Sequence, residues 1–334
     1  MQNQNKQKIA TSKASKIIFM GTPEIAVPTL DILNEHFAIQ AVVTAPDKPK
    51  GRGLQVIFSP VKERALSLGL KILQPVKMNE VDFVEEIKKM APDIIVVFAF
   101  RILPAEVYTL ARIATFNIHT SLLPKYRGAA PINWAIINGE TKTGLTSFIL
   151  DEKVDTGSIL LQQVVDISEF STAGQLHNLL MENAPQFTLD SCELLLSSNY
   201  QLKNQDSNSA TLAPKIFRQT ARIDWTKDAV VVANFINGYS PIPCAWTFWG
   251  DVQLKIYYAK PIYDIVNDII ANNIPTSREQ NHVAGTFFIE DRRLVVKCGN
   301  GFIEIFELQQ EGKKRVLAKD FANGFRGEPT GIFH

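Results

Sequence analysis

An asparagine and a histidine stand two residues apart in Phe116-Asn117-Ile118-His119, at the end of a strand-like apolar run. Successive strand side chains point to opposite faces, so residues i and i+2 share one face. Asn117 and His119 therefore aim at one point. Ser121-Leu122-Leu123-Pro124 then breaks the strand into a loop, and Asp155 follows in the turn-rich stretch Asp151-Glu152-Lys153-Val154-Asp155-Thr156-Gly157. An amide, an imidazole and a carboxylate, with no serine or cysteine nucleophile in the set, suit proton transfer and oxyanion stabilisation around a carbonyl. Bland readings stand beside this one. A lone histidine in a core-facing strand also serves as a structural residue, and an aspartate in a turn also serves as a cap. His119 gains from its position, because ligands gather at the carboxyl ends of strands in parallel sheets. His36, His177, His282 and His334 fall at a helix end, an exposed helical position, a loop and the terminus.

A sheet must hold these residues, and the first half of the chain spells one. Lys16-Ile17-Ile18-Phe19-Met20 is a short apolar strand that turns at Gly21-Thr22-Pro23 into a helix through Val27, Leu30 and Leu33. Residues 38–44 form a second strand, and strand–helix–strand order argues for a right-handed βαβ unit in a parallel sheet. The turn carries a single glycine rather than G-x-G-x-x-G, so it is no nicotinamide dinucleotide fingerprint. Ser59-Pro60-Val61 opens another helix that Gly69 ends. A short strand over 71–75 and an amphipathic helix over 83–90 follow. Residues 93–100 are apolar on both faces and mark the central strand. Further helices are expected from Ala105, over 132–138 and over 172–198, with strands over 144–150 and 158–165. The Pro- and Gly-dense stretch 45–53 reads as an irregular loop, made basic by Lys48, Lys50 and Arg52. It is either a solvated surface loop or a flap that meets a phosphate backbone.

Composition sets the outer bounds. With 334 residues, 46% of them hydrophobic, the chain can bury a large core and reads as two domains. Residues 199–220 are rich in Gln, Asn, Ser and Lys and read as the interdomain linker. Beyond them a helix over 229–236 and five short strands, over 244–249, 252–258, 285–290, 293–297 and 301–308, suggest a small β-barrel of OB-like type. A last helix is expected over 320–325. The net charge of +1 excludes bulk charge as an argument for a nucleic-acid partner. Three scattered cysteines, Cys192, Cys244 and Cys298, argue against a metal site or a disulfide frame and fit a cytosolic protein. Residues 1–16 lack an apolar core and read as a disordered extension, not a signal peptide. No apolar run is long enough to span a bilayer.

From Lys16 to about Arg326 the chain resembles the methionyl-tRNA formyltransferase family. The resemblance rests on Phe19-Met20-Gly21-Thr22-Pro23-Glu24, Pro46-Asp47-Lys48-Pro49, Gly51-Arg52-Gly53, Ser59-Pro60-Val61-Lys62 and Asn117-Ile118-His119. It continues through Ser121-Leu122-Leu123-Pro124, Arg127-Gly128-Ala129-Ala130-Pro131-Ile132 and Asp155-Thr156-Gly157. Ala213-Pro214-Lys215-Ile216, Arg222-Ile223-Asp224-Trp225 and Gly312-Lys313-Lys314-Arg315 complete it. The Asn, His and Asp set is shared by all formyltransferases that use 10-formyltetrahydrofolate. The Pro-Asp-Lys-Pro loop and the second domain are more specific.

The resemblance implies an α/β fold: a Rossmann-like catalytic domain with a mostly parallel sheet (16–198), a linker (199–220) and an OB-like tRNA-binding barrel (221–334), after a tail over 1–15. It implies transfer of a formyl group from 10-formyltetrahydrofolate to the α-amine of methionyl initiator tRNA, without a metal, by a cytoplasmic monomer with no membrane contact. Asn117 and His119 would serve the oxyanion, and Asp155 would orient the imidazole and favour its cationic form. Phe98, Phe100, Ser121, Leu122, Leu123, Pro124 and Gly157 would line the folate site, with Asp151 shaping its loop. Lys48, Lys50, Arg52, Lys313, Lys314 and Arg315 would meet tRNA. From Thr211 onward there are 15 Lys+Arg against 13 Asp+Glu, so any basic character must be confined to one face.

Four residues depart from the family pattern. Arg101 stands where Gly is usual and would narrow the folate pocket or reach the folate's glutamate tail. Thr120 replaces a common Gly, adding a Cβ where the family's backbone would be tight; Lys153 sits at another Gly position; and Asn237 replaces an Arg, which weakens a phosphate contact there. A sugar-nucleotide or glycinamide-ribonucleotide formyltransferase would keep the same three polar residues, as would a formyltetrahydrofolate hydrolase. A non-catalytic RNA-binding module is a reading from another class.

Overall fold

Two strands, β1 (Lys16–Gly21), apolar after its first residue, and β6 (Ile94–Phe98), wholly apolar, set the architecture, each buried almost throughout. The computed structural model describes residues 14–50, 55–262 and 282–334. In chain order β1 is followed by α1 (Val27–His36), β2 (Ala38–Val43), β3 (Lys48–Lys50), β4 (Gln55–Ile57), α2 (Pro60–Ser67), β5 (Ile72–Leu73) and α3 (Val81–Met90). After β6 come α4 (Ala105–Tyr108), β7 (Ala114–His119), β8 (Arg127–Gly128), α5 (Pro131–Ile137), β9 (Lys142–Ile149), β10 (Ile159–Asp166) and α6 (Ala173–Ser197). The second half holds β11 (Leu212–Ala213), α7 (Ala229–Tyr239), β12 (Ala245–Trp249), β13 (Val252–Ile262), β14 (Thr286–Glu290), β15 (Arg293–Lys297), β16 (Phe302–Gln310), β17 (Val316–Leu317), α8 (Ala318–Gly324) and β18 (Thr330–Ile332).

These elements form two compact units. One comprises the described residues up to Gly128 with Lys142–Asp166 and His177–Leu212; the other comprises Ala129–Thr141, Ile167–Leu176 and Ala213 onward. The division differs from the sequential boundaries read off composition, because packing rather than chain order defines it. The short helix α5 groups with the second unit, where Asn133 donates to the Gly238 carbonyl at 2.8 Å.

The first unit is built on a seven-stranded sheet of order β10-β9-β7-β6-β1-β2-β5. Strands β5, β2, β1, β6 and β7 run parallel, and β9 and β10 are antiparallel additions at one side. Near-continuous apolar runs are what a sheet covered on both faces requires. Ile18, Met20, Ile95 and Val97 pack on Phe83 and Ile87 of α3 and on Val107 of α4. Local signals set the helix ends. The Ser59 hydroxyl accepts from the Lys62 N–H at 3.1 Å and caps α2, whose first residue is Pro60.

Within the stretch expected to be irregular over 45–53, Lys48–Lys50 form a strand. β3 and β4 pair antiparallel as a two-stranded ribbon. A proline is admissible there because a ribbon of two strands has open edges that need no N–H donor. Its base is tied by Asp47, which accepts from the Lys62 ammonium and from Gln74. Residues 51–54, Arg52 among them, and residues 1–13 of the expected tail lie outside the described residues.

In the second unit the sheet runs β12-β13-β16-β15-β14-β18, with β17 on β16, all antiparallel. The chain end then closes it. Phe333 N–H donates to the Gly285 carbonyl on one side, and Phe248 and His334 exchange backbone hydrogen bonds on the other. β12, first in the order, is thus bonded to the residues that follow β18, last in the order, and the sheet becomes the expected OB-like barrel. Its interior holds Ile223, Trp225, Leu254, Ile256, Phe287, Leu294, Val296, Ile303, Ile305 and Phe333, with Val232 and Ile236 of α7 against them.

Candidate active site

The carboxyl ends of β6 and β7 lie side by side, with Val97 level with Asn117 and Phe98 level with Ile118. Phe116 and Ile118 are buried, which anchors the strand. Asn117 and His119 leave it on a common side, as the two-residue spacing requires. Asn117 is half-buried, and no described residue hydrogen-bonds its amide. His119 is 6% exposed, and its Nε2 lies 2.8 Å from the Tyr126 carbonyl oxygen. A carbonyl only accepts, so Nε2 carries the proton and the neutral ring has its lone pair on Nδ1. That Nδ1 faces Asp155, whose Oδ2 is 3.8 Å away. Asp155 Oδ2 itself accepts from the Gly128 N–H at 2.8 Å. The carboxylate is therefore fixed by backbone and stands beside the imidazole without a direct hydrogen bond to it. An imidazole held this way presents Nδ1 as its acceptor, beside a fixed carboxylate.

The loops are pinned from below. Thr146 of β9 donates from Oγ1 to the Ser121 carbonyl at 2.7 Å and accepts from the Leu123 N–H at 3.2 Å. Gln162 of β10 donates to the Leu123 carbonyl at 2.9 Å and to Thr146 Oγ1 at 3.0 Å. Ser121 is fully buried and donates its hydroxyl to the Lys125 carbonyl at 2.7 Å. Leu123 packs on Phe148 and Ile159. Of the expected folate-lining residues, Phe98, Ser121 and Leu123 thus sit in the wall rather than on its surface. Phe100, Leu122 and Pro124 are half-buried. A Cβ on Gly157 would stand 1.7 Å from the Ile149 carbonyl oxygen, so this glycine permits a close backbone crossing at the foot of the Asp155 loop. Asp151 shapes that loop as expected, accepting from the Thr156 hydroxyl at 2.8 Å and the Lys153 N–H at 3.1 Å.

Several departures resolve differently from the expectation. Arg101 does not project as a free cation: its guanidinium donates to the Pro75 and Val76 carbonyls at 2.7 and 2.9 Å. It also lies over the Phe100 ring, 5.3 Å from the centroid. Thr120 is not among the residues with left-handed backbone, so its Cβ meets no such strain. Asn237 is fully buried and pairs with Ala259 on β13, donating to its carbonyl at 3.0 Å and accepting from its N–H at 3.1 Å. It is a structural residue.

The expected tRNA residues divide. Lys48 and Lys50 lie in β3, and Arg52 lies outside the described residues. Lys313 and Lys314 are exposed in the turn after β16. Arg315 is ion-paired with Glu307 and lies over the Tyr257 ring, 4.0 Å from its centroid. Sequence reading missed the Tyr126 carbonyl, the Gly128 N–H, Thr146, Gln162 and Gln205, all of which act through backbone contacts that residue type does not advertise. Among the described residues no group of three or more His, Cys, Asp or Glu is placed to hold a metal ion.

Fold and site together define an enzyme of the Rossmann-like acyl-transfer kind, and comparison with known proteins narrows the class. A model of the formyl transferase family matches residues 15–191, and a model of the formyl transferase C-terminal domain matches residues 215–326. The chain belongs to the formyl transferase family. Its relatives include the methionyl-tRNA formyltransferase of Flavobacterium johnsoniae, 40% identical over 315 residues and covering 92% of this chain and 96% of that one. The N-formyltransferase of Helicobacter canadensis, solved with folinic acid and dTDP-3-aminofucose, shares the fold at a TM-score of 0.65 and 19% identity, over 87% of this chain and 99% of that one. HypX of Aquifex aeolicus, solved with tetrahydrofolic acid, shares it at a TM-score of 0.60 and 15% identity; the match covers 91% of this chain but 46% of that one.

Proposed function

We propose that this chain transfers the formyl group of 10-formyltetrahydrofolate to the α-amine of methionyl initiator tRNA. The observation that carries the reading is the arrangement at the end of β7: an uncommitted Asn117 amide beside an imidazole whose Nε2–H is already engaged with Tyr126. The amine attacks the formyl carbon and a tetrahedral oxyanion forms. Asn117 donates its N–H to that oxygen, and losing one such donor typically costs on the order of a hundredfold or more in rate. His119 receives a proton from the attacking amine at Nδ1, and Asp155 stabilises the imidazolium that results. The proton then passes to the folate N10 as the C–N10 bond breaks, so that tetrahydrofolate leaves neutral at that nitrogen. Relatives 40% identical over nearly their whole length are methionyl-tRNA formyltransferases, which favours tRNA over a sugar nucleotide as the acceptor.

Phe98, Phe100, Ser121, Leu122, Leu123, Pro124 and Gly157 form or back the folate pocket in this reading. The second unit, with Lys313, Lys314 and Arg315, meets the tRNA, as do Lys48, Lys50 and Arg52 of the first. The protein acts as a cytoplasmic monomer; no helix among the described residues is long and apolar enough to cross a membrane. The test is formyl transfer from 10-formyltetrahydrofolate to methionyl initiator tRNA, with methionyl elongator tRNA as control and His119→Ala alongside. Transfer to the initiator alone, largely lost in the variant, supports the reading. Formate release without an acceptor, or formylation of an amino-sugar nucleotide instead, would overturn it.

A further inference from the structure

The segment 203–211, which composition reads as linker and which holds a 3-10 turn at Ser207–Ser209, is bonded to the start of β10 at one end and to the residues after β7 at the other. One end is fixed by a reciprocal backbone pair, Ile159 N–H to the Lys203 carbonyl at 2.8 Å and Lys203 N–H to the Ile159 carbonyl at 2.9 Å. The other end is fixed at Thr211, whose Oγ1 accepts from the Tyr126 N–H at 2.9 Å and whose carbonyl accepts from the Arg127 N–H at 2.9 Å. Between these anchors lies Gln205. Its Nε2 donates to the Asp155 carbonyl at 3.0 Å and to the Gly157 carbonyl at 2.8 Å. Its Oε1 accepts from Arg127 Nε at 3.1 Å and from Arg127 Nη2 at 2.7 Å. Both amide protons and the amide oxygen are used, half-buried, in one constellation.

Resting on the reaction proposed above, we infer that Gln205 is a positioning residue for the Asp155–His119 pair. Asp155 has a left-handed backbone, with φ of 56°, a conformation aspartate tolerates better than most residues and that a fixed carbonyl helps to hold. Gln205 supplies that hold by engaging the Asp155 carbonyl directly. Through Arg127 it also ties down the segment 126–128, in which the Tyr126 carbonyl fixes His119 Nε2 and the Gly128 N–H fixes Asp155 Oδ2. One side chain thus holds both halves of the pair in register. Only a primary amide meets the two demands together: a carboxylate at this place would keep the guanidinium and lose both donors. Misplacement of such a pair by about 1 Å is enough to cost on the order of a hundredfold in rate.

The experiment is a double-mutant cycle on the full chain, combining Gln205→Ala with Asp155→Asn and reading single-turnover formyl transfer, KM for both substrates and thermal unfolding. Gln205→Ala alone is expected to lower the rate by about ten- to a hundredfold, with KM changed less than about twofold. In the Asp155→Asn background the same substitution is expected to cost at least about threefold less than in the parent, because the part of its action that runs through the Asp155 carboxylate is already gone. Gln205→Glu is expected to behave like Gln205→Ala although it retains a partner for Arg127. The proposal is overturned if Gln205→Ala stays within about twofold of the parent, or if its cost is the same in both backgrounds. It is overturned likewise if both Gln205 variants lose activity only together with the folded state. Full activity of Asp155→Asn would instead sink the proposed reaction at this pair, and the positioning role with it.

Discussion

A carbonyl oxygen decides what His119 does. Because the Tyr126 carbonyl accepts from Nε2, the ring faces Asp155 with Nδ1, its unprotonated nitrogen. In the proposed reaction that leaves the Asn117 amide as the oxyanion donor that needs no prior protonation. Asn117→Ala is therefore expected to lower kcat by about a hundredfold or more with little change in KM for the tRNA, measured under saturating folate. An equal kcat would remove Asn117 from the reaction. Arg101 shows the opposite lesson. A residue type that suggests a ligand contact is spent on two carbonyls, so its presence closes a loop end rather than a pocket.

The elements around the pair work by close approach. The Asp155 loop crosses the end of β9 so tightly that a Cβ on Gly157 would overlap the Ile149 carbonyl oxygen. Gly157→Ala is expected to destabilise the first unit by about 1–3 kcal/mol, as forced overpacking usually does. It should also depress kcat through displacement of Asp155; urea unfolding and steady-state assay on the same sample check both, and unchanged values would mean the loop yields freely. The base of the β3–β4 ribbon rests on Asp47. Hydrogen bonds from Lys62 and then Gln74 hold its carboxyl below the ordinary value of 3.8. A depressed carboxyl pKa stabilises the fold above the unfolded value and loses that contribution as pH falls through the folded one. The stability difference between parent and Asp47→Asn is expected to stay constant from neutral pH to about pH 5 and to shrink only below 3.8, as read by denaturant titration. A difference that vanishes by pH 5 would contradict that assignment.

At the scale of the molecule, the second unit depends on its last residues. Phe333 is 2% exposed, stacks on Phe287 with ring centroids 4.6 Å apart, and borders the seam that Phe248 and His334 close. Phe333→Ala is expected to cost about 3–5 kcal/mol in the unfolding of that unit, the usual range for a buried phenylalanine. A shift well under 1 kcal/mol would mean the barrel seam carries little. Formyl transfer by the parent chain then has two structural supports, one for chemistry and one for the partner proposed to dock there.

The sequence by itself determined the parallel sheet, the common side of β7 that Asn117 and His119 share, and the barrel. Apolar runs of strand length, a two-residue Asn–His spacing and evenly spaced short strands are local signals, and local sterics and burial translate them directly. Even Asp151 was legible as a loop former, since Asp in a turn bonds its own neighbourhood. Tertiary structure alone decided which ring nitrogen of His119 meets a carbonyl, what fixes Asp155, and that Lys203, Gln205 and Thr211 of the polar stretch bond the residues around Asp155 and Tyr126. Those outcomes rest on backbone carbonyls and amides brought together over separations such as that from Gln205 to Asp155. Every residue owns such groups, so residue type does not announce which of them will meet. The same reason explains Asn237, whose amide reads as a surface contact until the Ala259 backbone is seen to take both of its ends.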